Sequence, residues 1–211
     1  MYQPPIFRED RKDVMHALMR AHPFATIVSS VTGELTADHV PLVLQEEVGE
    51  YGVLQGHFAA GNPLFREANG PIEVLTIFQG PQTYISPSYY ASKEEHGKVV
   101  PTWNYVVVHA RGTLQFVRET DWLLDHLNAL TGAQEGHRPA PWQVSDAPSD
   151  YIARQLRGLV GFEIVIDDLA GTWKVSQNKS TADRAGVEAG LRSEADLDKA
   201  AISDLVRDRG T

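Results

Sequence analysis

The period of the apolar positions changes several times along the chain. Between residues 10 and 20, Val14, Met15, Leu18 and Met19 fall on one helical face, and Pro23 enforces a stop. The pattern then turns to short β-rich runs at 24–30, 35–44 and 53–58, separated by a turn at Thr32-Gly33-Glu34 and by the acidic stretch 45–52. Such consecutive runs with short links predict an antiparallel meander. Asn62-Pro63 places a capping residue before a proline at the first helical position, which predicts a short helix through Phe65 and Arg66. A further strand is predicted at 72–79.

Residues 80–100 carry prolines, tyrosines and a charged SKEEHGK run without a period, as a long functional loop does. Strand character resumes over 102–117. A helix follows over 120–130, with Thr120 as its cap and Trp122, Leu123, Leu127 and Leu130 on its inner face. A helix over 149–159 leads to a predicted hairpin, with strands at 162–166 and 172–177 and a turn at 167–171. The last 30 or so residues read as helical, with Thr181 and Ser193 as caps and Leu197, Ala201, Leu205 and Val206 on one stripe. About seven short strands without βαβ alternation favour a mainly β, α+β fold: an antiparallel barrel with helical additions. The expected division is a barrel domain over 1–177 with inserted helices and a helical extension over 178–211.

Composition narrows the partners. Nineteen basic against 28 acidic residues leave a net charge of −9, which disfavours a nucleic-acid-coating surface. Arg184, Arg192, Lys199, Arg207 and Arg209 gather near the C-terminus, but acidic residues are interleaved with them and the stretch reads as a solvated mixed face. The chain has no cysteine, so thiolate chemistry and disulfides are excluded and a reducing cytoplasm fits. No secretion signal and no run of about 18 apolar residues is visible, which reads as a soluble protein.

Motifs for phosphate loops, dinucleotide folds, serine hydrolases and zinc proteases are absent from the sequence. Of the eight histidines, His39, His57 and His109 fall in predicted strands; they suit hydrogen bonding or the satisfaction of buried polar groups better than a metal site. In Gly56-His57-Phe58-Ala59-Ala60-Gly61-Asn62-Pro63, small residues permit close backbone approach, and His57 and Asn62 add polar groups that suit a phosphorylated ligand. Packing of the glycines and alanines at a strand end and helix capping by Asn62 account for the same residues. Trp103-Asn104 places a flat ring and an amide at a strand start, where they could border a heterocycle or pack a barrel end. The run KVSQNK, 174–179, ends a predicted strand in donors that suit an anionic ligand edge or a solvated strand end.

Taken together, PFATIVSS, GHFAAGNP, IFQGPQTYISPSYY, GKVVPTWNYVVVHARG, PWQVSDAPSDYI and KVSQNKSTADRAGV closely resemble the PaiB family of FMN-binding negative transcriptional regulators. The resemblance runs from Met1 to about residue 191. It implies an FMN-binding split β-barrel similar to pyridoxamine phosphate oxidase, a homodimer, and flavin in the subunit cleft. Carried over by position, it puts FMN beside His39, Pro41, Gly56 and His57, with Asn62 just beyond. It closes the cleft with Trp103, Asn104, Gln177, Asn178 and Lys179, some of them from the second protomer. Ala60 stands where the family often has a basic residue, which removes one partner for the phosphate. No catalytic residue is implied.

Two functions of different class follow. One is a flavin sensor or negative transcriptional regulator, with DNA as a partner implied by the resemblance and unsupported by charge. The other is an FMN-dependent reductase or oxidase acting on a small planar substrate, in which the flavin carries the electrons. Tyr84, Ser86, Tyr89, Tyr90 and Lys93 of the long loop would then form a substrate-facing lid or dimer contacts. Heme in the cleft, with His57 or His109 axial, is a third and weaker reading.

Overall fold

The computed structural model describes residues 1–31 and 33–209, so Thr32 of the predicted turn lies outside the described residues. Eight strands are paired in it: β1 (Arg8–Glu9), β2 (Phe24–Ser30), β3 (Leu35–Pro41), β4 (Val43–Gln45), β5 (Val53–Ala59), β6 (Ile72–Ile85), β7 (Thr102–Val117) and β8 (Leu159–Lys174). Seven α-helices accompany them among the described residues: α1 (Lys12–Ala21), α2 (Pro63–Glu67), α3 (Ser92–His96), α4 (Thr120–Glu135), α5 (Ser149–Leu156), α6 (Thr181–Arg192) and α7 (Leu197–Asp208). The chain divides into two compact units. The larger takes residues 16–78 and 109–169, the smaller 1–15, 79–108 and 170–211, and β6, β7 and β8 run from one into the other.

In the larger unit the strand order is β3-β2-β6-β7-β8-β5-β4. β2 buries Ala25, Ile27 and Ser29 on one face, the period-2 signature of a half-buried strand. It pairs antiparallel with β3 from Phe24↔Pro41 to Ser30↔Leu35. The run predicted as one strand over 35–44 breaks at Leu42. The Leu42 N–H donates to the Pro23 carbonyl, its side chain is buried, and the chain crosses from β2 to pair β4 with β5. On the inner face of β5 and β8, Leu54, Phe58, Phe162 and Ile164 are almost wholly buried, and the Phe58 and Phe162 rings stack at 4.4 Å. α4 covers the other face: Trp122 sits so close to Gly161 that a Cβ there would come within 2.3 Å of the ring. α4 begins with Thr120 as a helical residue, uncapped by any side chain, and runs five residues past the predicted end.

β6 extends six residues past the predicted end, through Gly80 and Pro81 to Ile85. Both Gly80 and Pro81 are buried, a one-residue slip in the alternation of the kind a bulge produces, and Thr83 and Ile85 then resume the inward positions. The predicted hairpin at 162–177 is instead the single strand β8. Gly171 supports a strand there because the space beside it is filled: an added Cβ would lie 2.9 Å from both Met15 and Trp173.

In the smaller unit β1 pairs with the end of β8, Arg8 opposite Thr172. α6 and α7 pack through Val187, Leu191, Ile202 and Val206. Leu197, placed on the buried stripe by the sequence pattern, is 90% exposed. The caps also differ from expectation. Ser180 caps α6, Asp196 caps α7, and Ser193 stands at the C-terminal end of α6. The segment after β6 is held down rather than loose. Tyr89 lies in a notch made by Gly186 and Gly190 of α6, and its hydroxyl donates to Glu194.

Candidate functional site

The residues expected to hold FMN divide between the units. His39, Pro41, Gly56, His57 and Asn62 belong to the larger, and Trp103, Asn104, Gln177, Asn178 and Lys179 to the smaller.

In the larger unit each polar side chain of the set already has a partner. Asn62 caps α2 by accepting from the Leu64 N–H at 2.8 Å, and its amide nitrogen donates to Asp38 at 2.7 Å. His39, exposed on β3, hydrogen-bonds to Thr26 at 3.0 Å and stacks on Phe24. Pro41 ends β3 opposite Phe24. Gly56 is small for an interior reason: a Cβ would stand 2.4 Å from Phe162 and 2.7 Å from Leu42. The close approach read from the sequence is made, on that side, by the core.

His57 points away from that core toward α4. Its Nδ1 lies 3.1 Å from Nε2 of His126, whose ring is 2% exposed and stacks on Trp122. Trp122 in turn donates to Glu163, which also accepts from Gln55. Burial lowers the pKa of His57; burial, and behind it the facing His57, pushes His126 down to about 4. Both rings are therefore neutral near pH 7 and share one proton across the contact. His126 Nδ1 is buried without a partner. The sequence carries one sign of His126: its spacing from Leu123 places it on the inner face of the helix. Among the described residues, His39, His57 and His109 belong to no cluster of three groups able to hold a metal ion.

The smaller unit leaves polar capacity unused. Asn104, 1% exposed, donates to Ser176 Oγ at 2.8 Å, while its Oδ1 is buried without a partner. Ser176 is the one non-glycine at positive φ, 66°, among the described residues. Gln177 is spent inside its own turn, accepting from the Val175 N–H and donating to the Trp173 carbonyl. Asn178 is exposed and Lys179 half-buried. The Lys179 Nζ lies 4.6 Å from the centre of the Tyr90 ring, and the Tyr90 hydroxyl is a second buried polar group with no partner. Lys174 donates to Thr102 at 2.6 Å; burial, and then the charge of Lys179, lowers its pKa. Trp103 and Tyr84 stay about half exposed and meet edge to face. Of the loop residues expected to form a lid, Tyr89 is occupied by its own chain, Tyr90 gives its ring to Lys179 and keeps its hydroxyl unpartnered, and Ser86 accepts from the Ser88 N–H.

This donor set fits a flavin mononucleotide. A phosphate needs cations, a tricyclic ring needs flat aromatic surface, and its imide edge needs both donors and acceptors. Lys174 and Lys179, Trp103 and Tyr84, and the unpartnered Asn104 Oδ1 and Tyr90 hydroxyl supply those types.

Comparison with known proteins gives the same cofactor. Residues 1–168 match the family described as "Putative FMN-binding domain". The protease synthase and sporulation protein PAI 2 of Bacillus subtilis is 32% identical over 209 residues, covering 99% of this chain and 98% of its own. A protein of Emericella nidulans is 30% identical over 245 residues, covering 100% and 98%. Among solved structures, a FAD and heme binding protein from Mycobacterium smegmatis superposes with a TM-score of 0.56 at 16% identity, over 79% of this chain and 73% of that one. A conserved hypothetical protein from Mycobacterium tuberculosis gives 0.55 at 12%, over 82% and 91%. The structural likenesses establish the fold, an α+β protein with an antiparallel split barrel. With the family match over most of its length and the Bacillus relative over nearly all of it, the chain belongs to the PaiB family of FMN-binding proteins, and FMN is its cofactor.

Proposed function

We propose that the protein is a cytoplasmic, homodimeric FMN-dependent oxidoreductase for a small planar substrate, and that any effect on transcription runs through this ligand chemistry rather than through DNA contact. One observation carries the choice. Of the five basic side chains gathered near the C-terminus, the best candidates for a DNA face, four are paired with carboxylates, and Arg184 donates to the Lys179 carbonyl. Arg192 pairs with Asp204 and Glu188, Arg207 with Asp204 and Asp208, Arg209 with Glu9 and Lys199 with Glu194. On a chain of net charge −9 this leaves no cationic stripe there to displace counterions from a phosphate backbone. None of the described helices is long and apolar enough to cross a membrane. Exposed Phe24 and Trp103 offer apolar surface for a second copy.

Bound FMN supplies hydride and single-electron transfer. The chain's own part is to hold and shield it. Trp103 and Tyr84 offer aromatic surface to the ring or to the substrate, Asn104 a fixed amide end, and Lys174 and Lys179 positive charge for an anionic group of the ligand. Neither lysine needs to donate a proton for this role.

The regulatory reading has its own support, since the name of the Bacillus relative connects that protein with protease synthesis and sporulation. The two separate in one pair of assays on FMN-loaded protein. Consumption of NADH or NADPH with an added quinone acceptor, and no retardation of promoter DNA at about 150 mM salt, is the expected result. Retardation that weakens steeply with salt, without turnover, would reverse the choice.

A further inference from the structure

β8 ends at Lys174, and the chain turns through residues 175–180 into α6. This turn is held by more polar contacts than a connection needs. Gln177 closes it onto the Trp173 carbonyl and the Val175 N–H, and Asn104 ties down Ser176 from β7. Ser176 is thereby kept in the left-handed region, which a non-glycine residue adopts only at a cost. Interchanging the two ends of the Asn104 amide would only change which of them is left bare. Strain of this kind persists where the surroundings over-determine it, and here it fixes the spacing of the lysines on either side.

Those lysines are held differently from the ion-paired cations of the C-terminal helices. Lys199 meets Glu194, but among the described residues neither Lys174 nor Lys179 has a carboxylate at ion-pair distance. Their close partners are the Thr102 hydroxyl and the Tyr90 ring. The charge of Lys179 reaches Asp183, but that carboxylate is committed to the Ser92 N–H at 2.9 Å and the Ser92 hydroxyl at 3.0 Å. Burial works against the ionised Asp183, and these bonds, with Ser180 and then Lys179, still hold its pKa below the usual carboxylate range. Two ammonium groups with one committed carboxylate beside them leave the corner positive on an acidic protein, next to two buried polar atoms with nothing to bind.

We propose that Lys174 and Lys179, with the Tyr90 hydroxyl, form an oxyanion subsite that takes a phosphate monoester or a carboxylate, and that the Asn104–Ser176 contact fixes the turn carrying both lysines. The proposal rests on the flavin-binding reading for the two sources of that anion, which are the FMN phosphate and an anionic group of the substrate. It gives the phosphate a partner that Ala60 does not. Lys174 and Lys179 lie past residue 168, where the match to the family model ends.

The experiment uses flavin-stripped full-length protein, wild type and the variants Lys174→Met, Lys179→Met and Lys179→Arg, titrated with FMN, with riboflavin and with inorganic phosphate. If the subsite holds the FMN phosphate, wild type prefers FMN to riboflavin by about tenfold or more. The preference collapses in the methionine variants and returns with arginine. If it holds a substrate anion, FMN and riboflavin bind alike, and inorganic phosphate perturbs the flavin spectrum of wild type but not of the methionine variants. A riboflavin-to-FMN ratio and a phosphate response that are both the same in wild type and variants would overturn the proposal. If neither flavin binds wild type, the flavin reading fails by itself. Calorimetric titration with phosphate then decides the subsite: heat in wild type lost in the methionine variants supports it, and no heat in wild type overturns it.

Discussion

His57 Nδ1 and His126 Nε2 face each other at 3.1 Å beneath α4, a distance that one shared proton can bridge and two protons cannot. Because the folded state holds the pKa of His126 at about 4, against an unfolded value near 6.5, the unfolded chain binds more protons between those limits. The stabilisation is fully present above about pH 6.5 and is lost as the pH falls toward 4. His126 alone contributes on the order of 3 kcal/mol over that span, and His57, also lowered, adds in the same direction. Urea denaturation at pH 7 and pH 5 is expected to show a large loss for wild type and a smaller one for His126→Gln. Equal losses would show that the pair does not control acid stability.

The seat of Tyr89 on α6 gives a second test. Gly→Ala inside an exposed helix normally stabilises by up to about 1 kcal/mol. Here a Cβ on Gly190 would lie 2.3 Å from the Tyr89 ring, and one on Gly186 would lie 2.0 Å from the Tyr89 carbonyl oxygen. Both Gly186→Ala and Gly190→Ala should therefore destabilise, by about 1–3 kcal/mol. Adding Tyr89→Ala should relieve the second and leave the first, since only the ring is removed. Thermal melts of the two double variants read this directly, and relief of both or of neither would contradict the packing.

Gly56→Val tests whether that glycine serves the core or the cofactor. With Phe162 and Leu42 filling the space, the valine is expected to lower stability by several kcal/mol. Gly56→Ala should already cost stability, while the FMN affinity of the fraction that folds stays close to wild type. A stable variant that has lost FMN would return Gly56 to the cofactor site.

Asn62 is tested in the same manner. Asn62→Ala removes the cap of α2 and the bond to Asp38, with an expected loss of about 1–2 kcal/mol. Asn62→Asp keeps the cap acceptor but sets a carboxylate against Asp38, and should recover little. Chemical denaturation measures both, and a change in FMN binding without a change in stability would contradict the structural role.

Much of the fold was legible because it depends on local patterning. β2 and β7 fall at 24–30 and 102–117, as their alternation says, and Asn62-Pro63 opens α2 as its chemistry dictates. β8 was not legible as one strand. Asp167-Asp168-Leu169-Ala170-Gly171 has the composition of a turn, and what keeps it extended is the packing of Met15 and Trp173 around Gly171, a long-range fact. Leu42 hides in the same way, an apolar residue in an apolar run whose N–H leaves the ladder for Pro23. At the candidate site, sequence supplied residue types but not their vacancy. Asn62, His57 and Gln177 look like ligand donors until their partners Asp38, His126 and the Trp173 carbonyl are seen. Asn104 and Lys179 keep their candidacy for the converse reason: part of their polar capacity is unspent.

The most direct measurement is a fluorescence titration of flavin-stripped protein with FMN. Saturable quenching that ends at one FMN per chain is expected, as a ring stacked and desolvated at a built site requires. No binding up to about 100 μM, weaker than roughly −5.5 kcal/mol, would contradict the account of a protein whose unspent polar groups exist to hold this cofactor.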